Sequence, residues 1–255
     1  MKVEVLVATM NQSDDSLVTK MNIKTDAIIC NQCGHIGYHE SIINDNLIKY
    51  FDFNEKGVGL NRNNALMRAS GDICLFADDD MVYVDNYSEL VDRAFNELPK
   101  ADVIIFNLIE DNSERYFNTE IHRVRWYNYL RYGTARVAVK LKSVKENNIY
   151  FNQCFGGGTE HCHGEDNIFL TDCLKKGLKI YAVPYPIAYL KNTRESTWNK
   201  GYNDKYIVDQ GVLYRTISKR FWKLLCLRDS LVNYKHNYKK GFFEAYRLMT
   251  KGSMD

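Results

Sequence analysis

The chain has 255 residues, 45% hydrophobic and 26% charged, enough to bury a substantial core and ordinary for a soluble protein. Its formal net charge of +2 excludes nucleic-acid binding by the whole surface. No apolar run reaches the ~18 residues of a membrane span, and seven cysteines, an odd set behind a first stretch that reads as strand, point to a reduced, cytosolic compartment.

The N-terminal half alternates β-rich apolar runs with helical spacing, the mark of βαβ units around a mostly parallel sheet. Strands are expected at Val3 to Ala8, Ala27 to Cys30, Ile48 to Phe53, Ile73 to Ala77 and Val103 to Leu108. Helices are expected at Leu60 to Ala69 and at Tyr87 to Leu98, the second stopping before Pro99. Glu110 to Val139 is aromatic, Arg-rich and without clear period. Beyond it come a short helix near Leu141 to Asn147, a Gly-rich stretch Gly156 to Gly158, a helix opening at Glu165, and a strand Lys179 to Val183 that Pro184 closes. From Tyr206 onward cations outnumber acids and aromatics such as Phe221, Trp222, Phe242, Phe243 and Tyr246 are interleaved with them. That mix suits amphipathic helices lying on an anionic surface, and equally a solvated helical extension packed on the core.

The strand Ile73 to Ala77 runs directly into Asp78, Asp79 and Asp80. An open α/β sheet binds its ligands beyond the carboxyl ends of its strands, which is where these carboxylates sit. Crowded carboxylates repel unless a hard divalent cation shares them. Alternation along an extended chain sends Asp78 and Asp80 to one side and Asp79 to the other, so an Asp-x-Asp pair facing a diphosphate is the implied geometry. Mg²⁺ or Mn²⁺ there would neutralise a nucleotide diphosphate leaving group. An acidic turn in water is the plain alternative.

Four segments in order, VLVATMN (Val5 to Asn11), KGVGLNRNNAL (Lys56 to Leu66), GDICLFADDDM (Gly71 to Met81) and HGEDNIF (His163 to Phe169), resemble the family 2 glycosyltransferases of GT-A fold. Glu195 to Trp198 resembles members that build bacterial capsular and exopolysaccharide repeat units. The resemblance implies a GT-A (Rossmann-like) catalytic domain over residues 1–205, with a nucleotide-binding half to about 110 and an acceptor-binding half beyond, followed by a basic helical extension over 206–255. It implies that Thr9, Asn11 and the first loop lie against base and ribose, with Arg62 near base or phosphates. Asp78 would lie near the ribose with Asp79 beside it, and Asp80 would be the main metal ligand, assisted by Asp78. Asp166 would be the general base and Glu165 its neighbour orienting acceptor or loop, with inversion at the anomeric carbon.

Where relatives carry an acidic pair after the second strand, this chain has Asn31 and Gln32, so Asn31 would meet the base edge through its amide. The Gln-x-x-Arg-Trp motif of processive members is missing after Glu165-Asp166, which favours single-sugar transfer. Where some relatives place a metal-ligating His stand Tyr189 and Lys191, so Lys191 or Arg194 is a candidate cation for the diphosphate. His163 is a candidate for lining the acceptor pocket. Neither the Cys30 and Cys33 pair nor the contiguous His161, Cys162 and His163 has zinc-site spacing.

The reading is thus an inverting, metal-dependent glycosyltransferase using a UDP-sugar and a saccharide acceptor, lipid-linked, in polysaccharide synthesis, with the basic tail as the basis for peripheral contact with the cell membrane. The rivals are a sugar-1-phosphate nucleotidyltransferase and a non-catalytic saccharide- or nucleotide-binding protein.

Overall fold

The computed structural model describes residues 1–110, 116–191 and 201–252. In chain order its first elements are β1 (Val3–Met10), α1 (Ser16–Lys20), β2 (Asp26–Gln32), β3 (Gly37–Ile43), β4 (Asn46–Phe53), α2 (Val58–Arg68), β5 (Ile73–Asp78), β6 (Met81–Tyr83) and α3 (Tyr87–Glu97). There follow β7 (Val103–Ile109), β8 (His122–Val124), two 3₁₀ turns (Tyr129–Arg131 and Thr134–Arg136), β9 (Val137–Lys140) and α4 (Leu141–Glu146). The last are α5 (Glu165–Lys175), β10 (Ile180–Leu190), α6 (Asp204–Ile217), α7 (Trp222–Asn233) and α8 (Phe242–Gly252).

Ten strands form one sheet in the order β3-β4-β2-β1-β5-β9-β7-β10-β6, with β8 on β10. Strands β4, β2, β1 and β5 run parallel, and β9 enters antiparallel between β5 and β7. Strands β1, β2 and β5 are buried on both faces, which is why they read as apolar runs. Their alternate residues serve two cores: Leu6, Cys74 and Phe76 face α2, α4 and α5, while Val5, Val7, Leu75 and Ala77 face α1 and α3.

Pro184 does not close the last strand. β10 continues through it to Leu190, with register shifts against β7 around Pro186. Its other edge is covered by β8 only at Ile180 to Ala182 and by β6 only at Ala188 to Leu190. Both prolines fall in the gap between these short partners, where no backbone N–H is called for. The hairpin β3–β4 carries exposed Ile36, Tyr38 and Ile42 at the sheet edge, and only its second strand was legible as a strand.

The three C-terminal helices form their own cluster around Ile207, Tyr214, Trp222, Cys226 and Met249. Leu213 and Ile217 of α6 reach into the main core. Gly211 lets α6 touch α8, since a Cβ there would stand 1.9 Å from the Met249 carbonyl oxygen. No helix among the described residues is long and apolar enough to cross a membrane.

Candidate active site

Helix α2 buries four consecutive polar residues, Asn61, Arg62, Asn63 and Asn64, a costly arrangement unless each is bonded. The Asn61 amide donates to the Thr9 and Cys30 carbonyls at 3.1 and 2.9 Å and so ties α2 to β1 and β2. Asn63 exchanges two hydrogen bonds with the Phe151 backbone. Between them Arg62 reaches the carboxyl end of the sheet. Its guanidinium donates to Asp78 at 2.8 Å, Glu165 at 2.9 Å and Asp166 at 3.4 Å. Burial opposes that charge, but Asp78, Asp166 and Glu165 together outweigh it and hold the Arg62 pKa above its usual value. Three carboxylates on one cation leave an excess of negative charge. Burial first, then the neighbouring Asp166, push the Glu165 carboxyl up to about 8 against the pull of Arg62, so a proton held there relieves part of the excess.

Glu165 and Asp166 open α5 after Gly164, whose φ of 108° turns the chain into the helix. The Gly-rich stretch before it is a packing device: a Cβ on Gly156, itself at φ 100°, would lie 2.7 Å from the Glu165 carboxyl and 2.6 Å from Val58. Asp166 is held by the second 3₁₀ turn. Its Oδ1 accepts the Thr134 hydroxyl at 2.8 Å and its Oδ2 the Thr134 N–H at 3.2 Å. Counting Arg62, three of its four lone-pair positions are engaged by described residues. Asp78, Asp80 and Asp166 line one cleft of about 170 Å³, with Gly133, Thr134, Arg136 and Leu190. Asp79 turns the other way and accepts the Thr9 hydroxyl at 2.6 Å. Lys191 donates its backbone N–H to the Asp80 carbonyl at 2.9 Å, fixing the turn between β5 and β6.

Residues 37–153 match the model of glycosyl transferase family 2. The fold is similar to that of TarS 1-349 of S. aureus solved with UDP-GlcNAc, with a TM-score of 0.70, 15% identity, and 99% of this chain covering 79% of that one. The same TarS fragment solved with UDP gives a TM-score of 0.64 at 15% identity, over 99% of this chain and 89% of that one. A longer TarS structure gives 0.63 at 16% identity, with 98% of this chain covering 55% of it. No curated protein matches the sequence. The chain is similar to the family 2 glycosyltransferases over residues 37–153. Its fold is GT-A like.

One sequence expectation changes with the geometry. The Asn31 amide is engaged: its nitrogen donates to the Gln12 carbonyl and to Asp52 at 2.7 Å, and its oxygen accepts the Gln12 N–H. A buried amide with all these bonds made is a loop anchor rather than a free base reader. Asp52, beside Asn31 across the β2–β4 register, supplies a carboxylate there, and the sequence reading missed it because it ends a later strand. Arg62, expected near base or phosphates, lies among the three carboxylates, Asp78 of the acidic triple included. Thr9 is buried with its hydroxyl on Asp79 and Gln12, whereas Asn11 is exposed at a φ of 54°.

Arg136 was also missed. It comes from the segment without periodicity, is buried, lines the cleft and donates to the Tyr116 carbonyl at 2.8 Å. Cys162 and His163 come within reach of one ion only together with Asp209, which is remote in sequence, and Cys33 and His35 likewise with Asp52. Asp209, however, already holds Lys205, His161 and the Cys162 N–H. Cys30 is buried in the main core, where burial pushes its thiol up to about 12, so it forms no ligand pair with Cys33. Arg194 and the Glu195 to Trp198 stretch lie outside the described residues.

Proposed function

We propose that the chain transfers one sugar from a UDP-sugar to a hydroxyl of a saccharide acceptor, with inversion. The observation that carries this reading is the convergence of Asp78, Asp80 and Asp166 on one cleft. Asp166 takes the acceptor proton through the lone pair left on Oδ2, while Thr134 and Arg62 fix its orientation. With Asp166 in that role the acceptor oxygen displaces the nucleotide directly, in one inverting step. Arg62 keeps the carboxylates together and Glu165 carries the surplus proton. The nucleotide lies along the ends of β1, β2 and β4, where Thr9, Asn11, Asp79 and Asp52 are neighbours.

The all-oxygen donors Asp78 and Asp80 suit Mg²⁺ or Mn²⁺, which commonly binds through one or two carboxylates plus substrate phosphates. Such an ion would neutralise charge on the departing diphosphate. That TarS has been solved with UDP-GlcNAc and with UDP supports a uridine nucleotide for this chain too.

The acceptor is read as lipid-linked, an intermediate in capsular or exopolysaccharide synthesis, with residues 206–255 lying against the membrane. Helix α7 supports this. Leu224, Leu227, Leu231 and Val232 are exposed on its outer face, flanked by Lys223, Arg228 and Lys235, while Trp222, Cys226 and Ser230 face inward. Apolar side chains rimmed by cations fit an anionic bilayer surface. Leu224→Glu with Leu231→Glu should abolish co-sedimentation with phosphatidylglycerol vesicles, and unchanged co-sedimentation removes the membrane reading.

The deciding test is UDP release from a panel of UDP-sugars, with Mn²⁺ or a chelator, for wild type, Asp80→Ala and Asp166→Asn. Metal-dependent release should disappear in the first variant and fall about 10² to 10⁴-fold in the second. Pyrophosphate release from UTP, with no UDP released from any donor, would replace this reading by nucleotidyl transfer, which has no use for Asp166.

A further inference from the structure

A second concavity adjoins the cleft. It has a volume of about 580 Å³, inside the ~300–1,000 Å³ usual for ligand sites. One wall is the segment from Trp126 to Arg131; the other is formed by α6 and α7. Its composition is unusual for a surface. Trp126, Tyr127 and Tyr202 line it while 54%, 79% and 48% exposed, so three large rings remain uncovered in one place. Between them stand neutral amides, Asn128, Asn167 and Gln210, oriented by the Arg125 N–H, the Leu130 carbonyl and His163 respectively.

The walls are preorganised. The His163 ring stacks on Tyr206, centroids 4.0 Å apart and planes at 15°, and bonds Gln210 at 2.8 Å. Burial keeps the imidazole pKa below its usual value, so this ring is neutral at physiological pH. Beneath, buried Asp229 accepts the hydroxyls of Tyr214 and Tyr238, both at 2.5 Å, and so locks α6, α7 and the following loop together.

The groove and the cleft share their dividing wall. Asp166 lines the cleft and the next residue, Asn167, the groove; Gly133 and Thr134 line the cleft, and Leu130 and Arg131 the groove. At the crossing point Gly133 has no side chain, and even a Cβ there would lie 3.1 Å from Asp166 Oδ2.

We propose that this groove binds the acceptor saccharide and delivers its terminal hydroxyl over Gly133 to Asp166. Exposed aromatic faces meet the C–H faces of sugar rings, and neutral amides bond the hydroxyls around them. A lipid chain would make no use of the polar ends of those amides, and a polyanion would meet just Arg131 and Arg228 among the described cations of the lining. The site rests on the transferase reading above and extends it to helices outside the expected acceptor-binding half.

The test is binding of the fluorescently labelled full chain to a microarray of defined oligosaccharides, with UDP affinity measured separately by calorimetry. Wild type should bind a subset of glycans. Trp126→Ala and Tyr202→Ala should each weaken that binding tenfold or more and leave UDP affinity unchanged, while Asp80→Ala should keep glycan binding. Two exposed positions are used so that one misfolded variant, detected by circular dichroism, does not decide the matter. Wild type that binds UDP but no glycan, or ring variants that bind glycans as wild type does, overturns the groove and spares the transferase reading. Loss of UDP binding by wild type overturns the UDP-sugar reading alone.

Discussion

The cleft and the groove sit on either side of one wall and are built from opposite chemistry. The cleft gathers charge: three carboxylates on one buried guanidinium, Asp78 from the end of β5 and Glu165 and Asp166 from the start of α5. The groove gathers uncharged rings and amides, carried by irregular segments and by helices late in the chain. Charge in a confined site demands fixed partners, because a buried ion left alone is expensive. Neutral amides and rings tolerate a changing occupant. The side proposed to hold a diphosphate is therefore the charged one, and the side proposed for an acceptor is the neutral one, its walls preorganised by hydrogen bonds.

Removing the cation is the most severe way to break this contrast. Arg62→Met keeps the apolar stem but leaves Asp78, Glu165 and Asp166 uncompensated at the centre of the molecule. A loss of about 3–5 kcal/mol is expected, the cost of breaking a buried ion pair by deleting one partner. Urea unfolding should show it as a lower midpoint, with UDP release abolished. An equal truncation in the groove, Trp126→Ala, should move that midpoint little, because the ring is half exposed.

The same contrast explains what was legible in the sequence. Asp78 and Asp80 could be picked out because carboxylates at the end of an apolar strand break a regular pattern, and Asp166 because its segment HGEDNIF resembles a family motif. Strands β1, β2 and β5 were legible as apolar runs. Asp52 and Arg136 were not, since nothing local marks the first as the neighbour of Asn31 or the second as a cleft residue. Pro184 misled because a proline ends a strand only where its N–H is needed, and that depends on β6 and β8, which are distant in sequence. Of the groove only His163 was legible, as a candidate for lining an acceptor pocket. Its residues come from three separated stretches with no shared period, and α7 is apolar on both faces, so its outer leucines look like core until Trp222 and Cys226 are seen to fill that place.

A gentler change tests the wall itself. Gly133→Ala adds one methyl group 3.1 Å from Asp166 Oδ2 without requiring an unusual backbone, since φ at Gly133 is −98°. The methyl crowds the one carboxylate oxygen that faces an incoming hydroxyl. Transfer should fall about tenfold, roughly the effect of 1.4 kcal/mol on a barrier. Thermal stability and UDP affinity should hold. A variant that transfers normally would mean that the acceptor reaches Asp166 by another path.

The last prediction concerns the proton on Glu165. Its folded pKa of about 8 lies above the ordinary 4.5, so the native state binds more protons than the unfolded chain between these values. Stability from this group is therefore full below pH 4.5 and declines as pH rises toward 8, at most ~1.4 kcal/mol per pH unit for one extra proton. Glu165→Gln keeps an acceptor oxygen for Arg62 and cannot ionise. Urea midpoints measured from pH 5 to 8 should then flatten relative to wild type, with the variant gaining most at the alkaline end. Parallel curves would mean that Arg62 holds Glu165 ionised throughout, and that the excess negative charge of the cleft is relieved elsewhere.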